Sequence, residues 1–172
     1  MEGRLLAERA GSVVREQEAV SAALAMDLPD TAVIEALFEL GFTRDTLPAI
    51  EWAPIVDVAW ADGVIDPGER HVVLGAAEED GLPPQHPAHR RLREWLETRP
   101  GPRLQRAWRL WIASVARVED EATVVDREVW LGSRLREVAA ATGGWLGVAR
   151  TSRDELDAIE RIERLVRSAR AA

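Results

Sequence analysis

The chain contains no cysteine, no lysine and no tyrosine among its 172 residues. Without cysteine it can form neither a disulfide nor a thiolate metal site, and it has no cysteine nucleophile. All 22 basic residues are therefore arginine. Together with the alanine-rich composition, the lack of lysine indicates a GC-rich coding sequence rather than a phosphate-binding surface.

Long apolar runs are also missing, since no stretch approaches the length that a membrane-spanning helix needs. Charged residues interrupt any signal-peptide core at the N-terminus, and these are Glu2, Arg4, Glu8 and Arg9. We therefore expect a cytoplasmic protein with no integral membrane segment.

A formal net charge of −8 argues against nucleic acid as a partner, because a phosphate backbone is bound by basic surfaces. Catalytic signatures are absent as well. The chain has no serine-nucleophile motif, no glycine-rich phosphate loop and no HExxH pair. We expect a protein that is not an enzyme.

Apolar residues recur at helical spacing through almost the whole chain. The clearest stripe is Trp52, Ile55, Val56, Ala59 and Trp60, at positions i, i+3, i+4, i+7 and i+8 of one helix face. Similar stripes predict helices over about residues 3–26, 31–40, 47–60, 67–80, 88–97, 103–117, 125–142 and 152–169. The prediction is an all-α bundle of about seven or eight helices.

Between the third and fourth predicted helices lies a short acidic turn. Gly63 permits a sharp change of direction, and Asp66 is placed to cap the next helix. Pro67 then takes the first helical position and Glu69 the third, which completes a capping box. Asp62, Asp66 and Glu69, here named the acidic corner, are thus brought close together.

The acidic corner has two interpretations. Converging carboxylates suit a hard divalent cation such as calcium, magnesium or manganese. A full calcium loop ending at Glu69 is excluded, because Val58 and Trp60 would occupy its first and third ligand positions. The alternative is that these carboxylates only cap helices, which is the commoner use of such residues.

The run VAWADGVIDPGERHVV, at residues 58–73, resembles the tellurite-resistance TerB family and the TerB-like N-terminal domains of membrane-anchored J-domain co-chaperones. The resemblance extends in helical layout over about residues 30–142, although the specific motif is only about ten residues long. It implies an all-helical bundle of two related halves. It also implies a suspected metal site at Asp62, Asp66 and Glu69.

An internal repeat agrees with a two-half bundle. A shift of 59 residues places Trp52 on Trp111 and Glu69 on Glu128, and it places Asp62 on Glu121. Glu121 and Glu128 are therefore weaker metal candidates that would add a second acidic wall with Glu119 and Asp120. The alternative is that all four belong to a solvated acidic loop.

Histidine and tryptophan offer further candidates. His71, His86 and His89 could bind a transition metal only if the fold gathers them, and otherwise they are structural. Trp52, Trp60, Trp108 and Trp111 fall on predicted core faces, whereas Trp130 and Trp145 are the better candidates for exposed partner anchors.

We divide the chain into an N-terminal helix at 1–28, a TerB-like helical domain at 29–146 and an amphipathic C-terminal helix at 147–172 that packs on the same domain. The leading functional hypothesis is a cation-binding module of a tellurite or general stress response. The alternative is a metal-free interaction domain that binds a protein partner or forms a homodimer. A third hypothesis is a small-ligand pocket lined by tryptophans.

Overall fold

The described part of the chain is all-helical. A computed structural model describes residues 30–141 and 153–170, and every regular element within these ranges is a helix. In chain order the elements are α1 (Thr31–Glu39), the 3-10 helix η1 (Leu47–Trp52), α2 (Ala53–Ala59), α3 (Pro67–Glu79), α4 (Pro87–Glu97), α5 (Pro102–Val118), α6 (Glu121–Ala141) and α7 (Arg153–Arg170). The predicted all-α class is confirmed for these residues.

Helix α2 lies at the centre of the fold and is contacted by η1, α4, α5, α6 and α7. All of its residues except one are buried: Ala53, Pro54, Ile55, Val56, Val58 and Ala59. Asp57 is the exception and is half-buried. The stripe that predicted this helix therefore understates its burial, because the helix is enclosed on nearly every side.

The other helices form a shell around α2. Helix α1 packs on α5, α3 packs on α4 and α6, and α7 packs on α5 and α6. Trp108 and Trp111 from α5 and Leu135 from α6 fill the space between them and are almost completely buried. Buried residues of all these elements belong to one hydrophobic core.

In the sequence, a glycine followed by an apolar residue predicts a helix end at Gly41–Phe42 and another at Gly81–Leu82, and both ends are observed. Gly41 has a φ of 69°, and the Phe42 N–H donates to the Leu37 carbonyl at 3.0 Å. Gly81 has a φ of 87°, and the Leu82 N–H donates to the Ala77 carbonyl at 2.9 Å. Both ends are Schellman-type caps, in which the glycine takes the left-handed conformation.

The predicted helix at 47–60 is divided into η1 and α2. Pro54 has no N–H with which to bond the Ile50 carbonyl, so an α-helical ladder cannot run continuously through this point. The N-terminal helix predicted at 3–26 lies outside the described residues, as does Trp145. None of the described helices is both long enough and apolar enough to cross a membrane.

In the sequence, the helical spacing of Leu156, Ile159, Ile162 and Val166 predicts that all four face the core of the protein. This prediction is wrong at Leu156, which is 50% exposed. Its neighbour Glu155 is buried instead, on the same face as Ile159, Ile162 and Val166. Glu155, Ile159, Ile162 and Val166 are separated by four, three and four residues, so they lie on one face of the helix. Leu156 is rotated about 100° around the helix axis from Glu155. The contacts with α2, α5 and α6 therefore set the buried face one residue earlier.

Leu135 is fully buried whereas Leu156 is half exposed, and this difference in exposure gives a test of the packing. Leu135→Ala removes a fully buried side chain, so we expect the free energy of unfolding to fall by about 2–5 kcal/mol. Leu156→Ala, the matched control, should change it by less than about 0.5 kcal/mol. Chemical denaturation of both variants measures the difference, and equal losses would contradict the observed orientation of α7.

Candidate functional site

The acidic corner forms the capping box that the sequence predicts. Asp66 Oδ1 accepts hydrogen bonds from the N–H groups of Gly68 at 2.6 Å and Glu69 at 2.9 Å. Glu69 Oε2 accepts in return from the Asp66 N–H at 2.8 Å. Asp66 and Glu69 thus satisfy backbone donors at the start of α3 that have no partner within the helix.

Asp62 supports the turn that leads into this cap. Its Oδ1 accepts from the Val64 N–H at 3.0 Å, and Gly63 closes the turn with a φ of 92°. Asp62 and Asp66 are exposed to solvent. Within the described ranges, no three acidic or imidazole side chains are arranged so that they could hold a metal ion. A cation at Asp62, Asp66 and Glu69 stays a prediction.

Glu69 is the unusual member of the corner, because its side chain is only 2% exposed. Its Oε1 atom is buried and has no hydrogen-bond partner among the described residues. Burial raises the pKa of Glu69 from 4.5 to about 7, and the charges of Asp66, Asp62 and Glu155 add to the increase. The hydrogen bond from the Asp66 N–H acts in the opposite direction.

The second acidic wall is used mainly for local structure. Glu119 pairs with Arg127, whose Nη2 lies 2.6 Å from Oε1. Asp120 caps the start of α6 by accepting from the Thr123 N–H at 2.8 Å. Glu121 is exposed and Glu128 is half-buried, and a metal role for either stays a prediction.

The three histidines have separate surroundings. His86 caps α4, since its Nδ1 accepts from the Ala88 N–H at 3.1 Å. His89 is buried, with Nε2 at 3.5 Å from Glu78 Oε1, and His71 is exposed on α3. The structural interpretation of these residues accounts for what is observed.

Trp130, a predicted partner anchor, is half-buried and held in place. Its indole N–H donates to Asp80 Oδ2 at 2.7 Å, and its ring meets Trp52 edge to face at 5.5 Å between centroids. Arg134 also contacts Asp80, with Nη2 at 2.6 Å from Oδ1. These contacts tie α6 to the end of α3 and to η1.

A feature that sequence reasoning missed is a cleft of about 490 Å³ between α2, α5, α7 and the Arg99–Pro102 linker. Four arginines line it, and we call it the arginine cleft: Arg99, Arg106, Arg109 and Arg161. Val56, Trp60, Pro100 and Pro102 add apolar surface to its walls.

The lining of the arginine cleft carries an excess of positive charge, and two acidic residues outside the lining, Asp154 and Asp157, lie in a smaller pocket that shares Arg99 and Arg161. Arg161 Nη1 lies 3.9 Å from Asp57 Oδ2, which is the one carboxylate lining the cleft. The other three guanidinium groups have no carboxylate of a described residue within 4.0 Å. The N-terminus of α5 also borders the cleft, and its first turn contains no acidic residue. Its dipole therefore adds to the positive potential.

One signal in the sequence could have indicated this cleft. Residues 87–118 contain eight arginines and two glutamates, a formal net charge of +6 within a chain of net charge −8. The composition of the whole chain hides this segregation, which becomes visible only when charge is counted by segment.

Comparison of the chain with protein-family models, with curated proteins and with solved structures found no match. The resemblance to the TerB family therefore stays a prediction. Functional proposals for this chain depend on the geometry described above.

The buried Glu69 carboxyl predicts an unusual pH dependence. Its raised pKa means that the folded state binds the proton more tightly than the unfolded state, so this contribution to stability is complete below about pH 4.5 and is lost as the pH rises through about 7. Glu69→Gln keeps a carbonyl acceptor for the Asp66 N–H and removes the titration. Relative to this variant, the wild type should lose about 3 kcal/mol between pH 4 and pH 8, at about 1.4 kcal/mol per pH unit.

The measurement is urea denaturation of both proteins at several pH values. Burial lowers the pKa of His89, so its contribution to stability is lost as the pH falls below about 6.5, which is the opposite trend. The difference between wild type and variant is therefore the readout, since His89 is common to both. Parallel pH profiles would contradict the buried position of Glu69.

Proposed function

We propose that this chain is a non-catalytic helical binding domain, which acts without a bound metal and binds an anionic partner at the arginine cleft. The observation that carries the proposal is the set of guanidinium groups at Arg99, Arg106 and Arg109, for which the described residues supply no carboxylate. Like charges held together in a folded protein repel one another, and an anionic ligand relieves that repulsion.

Arginine is well suited to this role. Its planar guanidinium can donate two parallel hydrogen bonds to one carboxylate or phosphate, and it remains charged at every physiological pH. Elsewhere in the fold, Arg127 and Arg134 are held by two or more carboxylates each. The arginines of the cleft contrast with these structural ones.

The lining of the cleft supports binding rather than catalysis. Asp57 is the one described lining residue with a carboxylate side chain, and that carboxylate lies beside Arg161. The described lining includes no serine, threonine or histidine that could act as a nucleophile beside a base.

Removal of two cleft arginines should abolish the retention of this acidic protein on a sulfated polysaccharide resin. We expect the wild type to bind at low ionic strength and Arg106→Ala/Arg109→Ala to elute without retention. The reason is that binding to the resin depends on arginines that neutralise its sulfate groups. Arg90→Ala/Arg93→Ala is the matched control, since both residues are exposed and lie outside the cleft lining.

The control removes the same charge from the chain, so it should retain most of the resin binding of the wild type. Equal losses in the two double variants would show a general charge effect and would contradict a specific cleft. A wild type that passes through the resin unretained would also contradict the proposal.

A second candidate function is divalent cation binding at Asp62, Asp66 and Glu69, in a TerB-like module of a cytoplasmic tellurite or stress response. The observation that favours it is Glu69 Oε1, a buried oxygen without a described partner. A bound calcium, magnesium or manganese ion would supply that partner and would return Glu69 to its charged form.

The cation hypothesis is tested by thermal unfolding with calcium, magnesium or manganese added. If it holds, one cation raises the Tm of the wild type, because it binds the folded state preferentially, and the Asp62→Asn/Glu69→Gln variant does not respond. An unchanged Tm in every cation would leave the corner with a capping role alone.

The two-half architecture belongs to the same TerB-like proposal. It is supported by the positions related by 59 residues: Trp52 and Trp111 are both buried, and each precedes an acidic connection to the next helix. The connections differ in length, since residues 60–66 separate α2 from α3 whereas residues 119–120 separate α5 from α6. The metal-free alternative also includes homodimer formation through the C-terminal helix.

A further inference from the structure

The arginine cleft is adjacent to a second cavity of about 550 Å³, which we call the apolar groove. Its apolar lining comes from Leu40, Phe42, Trp95 and Leu104. The Arg99–Pro102 linker lines both cavities, so the cleft and the groove are adjacent at this short segment.

Direct contacts hold the walls of the two cavities together. The indole N–H of Trp60, in the cleft, donates to the backbone carbonyl of Trp95, in the groove, at 2.8 Å. The Trp95 ring packs edge to face on Phe42 at 5.9 Å between centroids. These contacts within the chain hold the surface in place, which reduces the conformational entropy lost on binding.

The apolar groove is also bordered by positive charge. Arg91 lies over the Phe42 ring at 5.6 Å and donates to the Leu40 carbonyl. Arg99 and Arg103 also line the groove. Glu94 is the one carboxylate among the described lining residues, and its Oε2 is 3.8 Å from Arg91 Nη1. Arg103 has no carboxylate of a described residue within 4.0 Å.

We infer that the cleft and the groove together dock an acidic segment of a partner protein, with one large apolar side chain in the groove and carboxylates against Arg99, Arg106 and Arg109. This inference depends on the proposed anion-binding function and specifies the chemistry of the partner. Charge complementarity selects the acidic segment, and the recessed apolar lining selects its anchor residue.

A protein segment fits these observations better than a small phosphate does. Arg99, Arg103, Arg106 and Arg109 are all exposed and are distributed over two cavities, so a small anion bound in one cavity would not use all of them. A phosphate would also leave the apolar groove unused. An anionic bilayer is disfavoured because the apolar side chains line a recess instead of protruding, and so cannot insert among lipids.

The test measures fluorescence anisotropy with three labelled twelve-residue peptides. The first combines glutamates with one central leucine, the second replaces that leucine by alanine, and the third keeps the leucine but replaces every glutamate by glutamine. We expect the first peptide to bind about tenfold more tightly than the second, since burial of a leucine side chain supplies roughly that factor. The third should not bind detectably.

Variants then locate each part of the peptide. Thr98 is exposed and lines the groove, so Thr98→Trp should occupy it and reduce the affinity for the first peptide to that for the second. Arg106→Ala/Arg109→Ala should reduce the affinity for both acidic peptides at least fivefold. Arg90→Ala/Arg93→Ala should leave both affinities unchanged. Circular dichroism confirms that each variant is folded, and the comparison of peptides on the wild type needs no variant.

Two outcomes separate this inference from the proposed function. The apolar anchor is overturned, while anion binding stands, if both acidic peptides bind equally and both require Arg106 and Arg109. The same conclusion follows if pyrophosphate or a twelve-nucleotide RNA binds more tightly than the first peptide. Both proposals fail if no peptide, pyrophosphate or RNA binds. They also fail if Arg106→Ala/Arg109→Ala does not change the binding affinity.

Discussion

The burial of α2 is the constraint on which the rest of the structure depends. A helix of seven residues is not stable alone in water, so it exists only because five other elements enclose it. Its small and β-branched side chains allow those elements to approach closely. Asp57, the one residue of α2 that is not buried, lines the arginine cleft together with its neighbour Val56. The central helix thus sets the position of the cleft as well as that of the core.

The acidic corner shows two opposing effects at one residue. The capping box stabilises the start of α3, for which caps of this kind contribute about 1 kcal/mol, but it places the Glu69 carboxyl in the interior. Burial of a charge is costly, and the nearby Glu155 of α7 increases the cost. Protonation is the response that the chain itself can make. Protonation removes the buried charge of Glu69, whereas the divalent cation proposed for this corner would compensate that charge instead.

Much of the fold could be predicted because its signals are local. The capping box at Asp66 and Glu69 and the glycine caps at Gly41 and Gly81 each involve residues within six positions, and all are observed. The burial of Glu155 in place of Leu156 could not be predicted from the sequence. Periodicity gives the spacing of the residues on a helix face, but the packing partners decide which face is turned to the core. Similarly, the arginine cleft combines residues from three helices and a linker that are far apart in sequence.

The distribution of charge determines how such a cleft can work. Outside residues 87–118 the chain carries 14 arginines against 28 acidic residues, a formal net charge of −14 that repels anions at a distance. At physiological ionic strength this repulsion extends about 8 Å, so it weakens the binding of those parts of an anionic partner that extend beyond the arginines. A short acidic segment confined to the cleft and groove would meet the positive charge and avoid most of the negative charge. The same segregation of charge therefore favours a short acidic segment over a long one as the proposed partner.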